Sequence, residues 1–139
     1  MKRDDDVIRD LLLQCEADER QWFELESEYD CEFGVSTSLH ERWDERTGRH
    51  LQLLVDAGLI ATAKSRYTPD WDPEEIGRTF FRLTNAGHNY LDAIRDESIW
   101  SKTKAAVAET GGSASLEIVK SLAVGFLKSK IEKHTGIVL

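Results

Sequence analysis

Arg42, Arg46 and Arg49 are spaced i, i+4, i+7. On a continuous helix that spacing puts three guanidinium groups on one face, opposite Leu51, Leu54 and Val55. An apolar back against a core and arginines turned outward is what a DNA recognition helix requires. The planar fork can span a guanine edge or grip a phosphate. The same arginines also suit a solvated face, because Glu41 and Glu45 lie close enough to pair with Arg49 and Arg46. Lys64, Arg66 and Arg78 bracket the proline-bearing segment that follows and are further candidates for phosphate contact. Between them stand Asp70, Asp72, Glu74 and Glu75, which would repel a phosphate backbone and keep that segment's tip out of a groove.

Other chemistries find less support. His40, His50, His88 and His134 show neither HxxxH nor HExxH spacing, so no metal and no other cofactor is expected. His50 and His88 are expected to pack or to hydrogen-bond. Asp92 and Asp96 lie one helical turn apart and read as an exposed face, with nothing apolar nearby to split their ionisation into an acid and a base. Phosphate-loop, dinucleotide and nucleophile-elbow motifs are absent. Cys15 and Cys31 form no CxxC pair and are expected to be free thiols. An enzyme is the least supported class.

The elements that would position these residues follow from periodicity. The chain has 139 residues, 40% hydrophobic and 32% charged, which suits an ordered domain. Val7, Ile8, Leu11, Leu12 and Cys15 predict a helix over 4–18, with Asp4, Asp5 and Asp6 at the positive end of its dipole. Trp22, Phe23 and Leu25 suggest a short strand before a loop over 26–36. A second helical stretch spans about 37–57 and ends at Gly58, while Gly48 leaves open one helix or two joined by a turn. Residues 59–65 and 78–83 predict two antiparallel strands around a loop holding Pro69, Trp71 and Pro73. Thr84 is a good N-cap for a helix expected to continue past Trp100 to about Ala108. Gly111-Gly112 then breaks the chain, and a last helix starts at Ser113 or Ser115 and runs to about His134.

A hairpin placed after a helix-turn-helix is a wing. The fold expected is therefore mainly α with a small β hairpin (α+β), a winged helix-turn-helix over 1–110 followed by a helical arm over 111–139. The arm's Leu116, Ile118, Val119, Leu122, Ala123, Val124, Phe126, Leu127 and Ile131 cover well over half of a helical circumference. A helix apolar that far round buries one side on its own domain and another on a partner. Leu116, Val119, Leu122, Phe126, Leu127 and Ile131 are the candidate contacts of a homodimer. Lys120, Lys128, Lys130 and Lys133 would also suit a membrane-surface helix, but the arm has no Trp or Tyr to anchor an interface.

The net charge of −8 argues against a nonspecific nucleic-acid coat. It is uneven: residues 1–34 carry 12 acidic and 4 basic side chains, whereas 35–67 carry 4 and 5. With no apolar leader and no run of the ~18 residues a membrane span needs, a cytoplasmic location is expected.

The stretches MKRDDDVIRDLLL, HLQLLVDAGLI, LTNAGHNYLDAIRDESIWSKTK and SLEIVKSLAVGFLKSKI are collinear with, and resemble, the bacterial and phage family known as domain of unknown function 2513. The resemblance runs from Met1 to about Ile137 and departs between Cys31 and Arg42, where this chain carries extra residues. It implies a winged-helix fold and an occurrence in phages and integrated elements, and carries no catalytic residue with it. Two functions are therefore expected in order: a homodimeric DNA-binding regulator, and a non-DNA adaptor whose acidic N-terminal surface meets a basic partner.

Overall fold

The computed structural model describes residues 2–19, 45–63 and 80–139. Among them the chain is α+β, with five helices and one two-stranded antiparallel sheet. Helix α1 spans Asp5–Ala17. The Asp4 carboxylate accepts hydrogen bonds from the Asp6 and Val7 amides, and Asp5 and Asp6 occupy the first turn. The acidic start is thus a cap and a dipole partner. Ile8, Leu11, Leu12 and Cys15 are the buried stripe.

Helix α2 spans Glu45–Asp56 and passes through Gly48 without a break. One glycine costs a helix only about 1 kcal/mol relative to alanine, and tertiary packing can supply that. Gly48 is itself buried. The helix ends on Gly58 with φ +73, where the Leu59 amide reaches back to the Leu54 carbonyl at 2.9 Å. A left-handed glycine is what that closing turn needs.

Strands β1 (Ile60–Ala63) and β2 (Phe80–Leu83) pair antiparallel, with Ile60 opposite Leu83 and Thr62 opposite Phe81. All four of those side chains are buried. Ala61 and Arg82, paired in the same register, take the other face. The loop with Pro69, Trp71 and Pro73 lies outside the described residues, as does the strand expected at Trp22, Phe23 and Leu25.

Helix α3 spans Asn85–Ile94. Thr84 Oγ1 accepts the Gly87 amide at 3.0 Å and donates to the Gly58 carbonyl at 2.6 Å, so one hydroxyl caps α3 and fastens it to the entry of β1. The uninterrupted helix expected to reach Ala108 is in fact two. Asp96, extended at φ −67 and ψ 125, accepts the Ile99 amide and starts α4 (Glu97–Glu109). A side-chain acceptor at that point replaces the helical carbonyl that Ile99 would otherwise use. Gly111 and Gly112, at φ +111 and +84, then turn the chain. Ser115 caps α5, which spans Leu116–Thr135.

The contacts divide the chain into two compact units, residues 1–88 and 89–139. Helix α4 packs along α5 within the second unit. In the first unit α1 packs on α2 and on β2, and α2 packs on β1. Ile8, Leu12, Leu51, Leu54, Ile60 and Phe81 form the centre of that core. In the second unit α4 buries Ile99, Trp100, Thr103 and Val107, while α5 buries Val119 and Ala123.

Candidate nucleic-acid interface

Helix α2 is two-sided. His50, Leu51 and Leu54 are fully buried, while Arg46 and Arg49 are exposed. Three-residue spacing sets those two arginines within one turn of each other on the solvent side. Arg42, Lys64, Arg66 and Arg78 lie outside the described residues, so the structure brings together two of the six cations expected to meet DNA. Arg82 of β2 is a further described cation, half-exposed on the face of the hairpin away from its buried side chains. It is not among the site residues expected from the sequence.

No local pattern in the sequence reveals what holds the start of α2. The Asp4 backbone amide donates to His50 Nε2 at 2.8 Å, and His50 Nδ1 lies 2.7 Å from the Arg46 carbonyl. The amide can only donate, so Nε2 is the acceptor and Nδ1 carries the proton that goes to Arg46. Asp4 Oδ2 accepts from the Arg46 guanidinium, while Oδ1 caps α1 at 2.9 Å from the Asp6 nitrogen. Residues 4, 46 and 50 are therefore one polar knot that fastens the beginning of α1 to the beginning of α2. Its bonds span 42 and 46 residues, beyond the reach of any local motif.

Asp92 pairs with Arg95 at 3.0 Å, and Asp96 pairs with Lys130 at 2.8 Å, so each of the two carboxylates has its own cation. Among the described residues no three His, Cys, Asp or Glu side chains are grouped to hold a metal ion. Cys15 is buried, and its thiol is pushed up to about 12, first by burial and second by the nearby Asp18 carboxylate.

The arm is only partly used by its own chain. Of the six residues expected to self-associate, Val119 is buried; Leu116, Leu122, Phe126 and Leu127 are half-buried, and Ile131 is exposed. Ile118 on the same helix is 54% exposed. None of the described helices is long and apolar enough to cross a membrane.

A family model described as hypothetical protein (DUF2513) matches residues 2–113. The match ends before α5, so the stretch SLEIVKSLAVGFLKSKI lies beyond it. An uncharacterized protein of Haemophilus influenzae is 30% identical over 124 residues, which is 88% of this chain and 92% of that protein. No solved structure matches.

Proposed function

The chain belongs to the family described as hypothetical protein (DUF2513), and from that premise we propose that it is a winged-helix protein that binds double-stranded DNA through α2. One observation carries the reading: Arg46 and Arg49 are exposed on the helix that directly precedes the hairpin, while His50, Leu51 and Leu54 anchor its other side. In winged-helix proteins the helix at this position enters the major groove. The role that fits is a non-enzymatic cytoplasmic regulator of a phage or mobile element. The half-exposed apolar residues of α5 support self-association into a dimer.

Retardation of a random-sequence duplex at ~50 mM salt, where electrostatic binding is strong, tests the reading. Arg46→Ala with Arg49→Ala should weaken binding and flatten its salt dependence by about 0.9 in slope for each phosphate that is no longer neutralised. Phe126→Asp, followed by sedimentation, tests the arm. An unpaired charge in an apolar seam should leave a monomer. Full-length protein that is already monomeric at high micromolar concentration would remove the dimer.

A second reading has its own observation. Arg46 is held by Asp4, and the chain carries a net charge of −8. Both favour an adaptor that meets a basic protein, and wild-type protein that retards no duplex at low salt would decide for it.

A further inference from the structure

The geometry points to Asp4 as a competitor built into the chain, an acidic group that occupies the arginine a DNA phosphate would take. This rests on the reading of α2 as the DNA-binding helix and adds a regulation to it.

Asp4 is not an ordinary surface partner. Its Oδ1 is committed to the first turn of α1, accepting from Asp6 at 2.9 Å and Val7 at 3.4 Å. Its backbone amide is committed to the fully buried His50 ring at 2.8 Å. Backbone and side chain are therefore fixed by the fold before Arg46 is considered, and Oδ2 stands ready for the guanidinium. Exposed ion pairs are weak largely because two long side chains must give up their freedom. Here one partner has given it up already. A phosphate offers the arginine fork the same kind of anionic acceptor as a carboxylate, so the two compete for one group. Arg46 remains more than half exposed in the pair, so an incoming phosphate can reach it. Asp4 would weaken DNA binding twice, by holding the arginine and by placing a negative charge beside the arriving backbone.

Asp4→Asn isolates the effect. Asparagine caps a helix as well as aspartate does, so α1 and the amide bond to His50 are kept while the charge is removed. Asp4→Ser is a second uncharged cap should the first variant fold poorly. Asp10→Asn makes the same change of net charge at an exposed position of the same helix. Anisotropy titrations of a labelled random-sequence duplex over a salt series compare them.

Asp4→Asn should bind about two- to five-fold tighter than wild type, the range set by releasing an exposed pair. Its salt slope should be steeper by about one phosphate contact. Asp10→Asn should gain less, and Arg46→Ala should abolish the gain of Asp4→Asn. Equal gains from Asp4→Asn and Asp10→Asn would overturn the competition and leave DNA binding standing. Weaker binding by both Asp4→Asn and Asp4→Ser would overturn it too. If neither the wild type nor any variant binds duplex, the competition and the DNA reading fall together.

Discussion

Lys130 donates a 2.8 Å hydrogen bond to Asp96, the residue whose other oxygen caps α4. One carboxylate thus starts a helix and ties it to the far end of the helix that packs on it. The bond from Lys130, then the Ile99 amide, the Lys130 charge and the Ser98 amide hold Asp96 below the usual carboxylate range. A carboxyl group lowered in the folded state adds stability above its unfolded value, near 3.9, and loses it as pH falls through the folded value. Asp96→Asn, which keeps a cap acceptor, should melt below wild type at pH 7. The gap should close in acid as the wild-type carboxylate takes up its proton. Asp96→Ala should melt lower still. Circular dichroism melts from pH 7 to 2 check this, and a gap that stays constant over that range would rule out the Lys130 pair as its source.

Cys15 should be chemically silent. With its thiol at about 12, almost none is thiolate at pH 8. In a Cys31→Ser background, iodoacetamide at pH 8 should label Cys15 slowly in buffer and rapidly once denaturant unfolds α1. Equal rates in both conditions would mean that α1 opens freely.

Gly87 is required by close approach. A Cβ there would stand 2.0 Å from the Leu59 carbonyl oxygen and 2.7 Å from Leu83 Cδ1. Gly87→Ala must therefore push α3 off the start of β1, at a cost of about 1–3 kcal/mol. Gly125, midway along α5, has nothing within 4 Å of such an atom, so Gly125→Ala should stabilise by up to about 1 kcal/mol. Chemical denaturation of the two variants should move the midpoint in opposite directions.

Replacing His50 with leucine keeps the volume but leaves the Asp4 amide without its acceptor. A part-buried donor stranded in this way costs up to about 1–3 kcal/mol, the figure for a fully buried one. Hydrogen exchange should also show the first turn of α1 opening more often. Unchanged protection there would mean that water replaces the imidazole.

Helix α1, the paired strands and the cap at Thr84 are legible because each is written locally, in a period or in a capping residue beside it. For the last helix the sequence leaves Ser113 and Ser115 as equal starts, and the cap is Ser115. Asp96 misled for the opposite reason: its neighbours are good helix formers, and only its bonds to Ile99 and Lys130 reveal a second start. Gly87 carried no signal, since what excludes a side chain there is a backbone carbonyl 28 positions away. The arginines of α2 could be assigned to a solvent face from spacing alone. That Arg46 already has an anionic partner could not, because Asp4 is brought to it only by the packing of α1 on α2.

The distance in sequence between Asp4 and His50 also bears on how the chain is made. Helices α4 and α5 are neighbours along the chain and meet by local contacts, which form quickly. The Asp4–His50 bond closes a loop of 46 residues and belongs to the slower class. Translation offsets the difference. The slow-forming unit comes first along the chain, so its long-range partners emerge from the ribosome ahead of the helices that meet by local contacts.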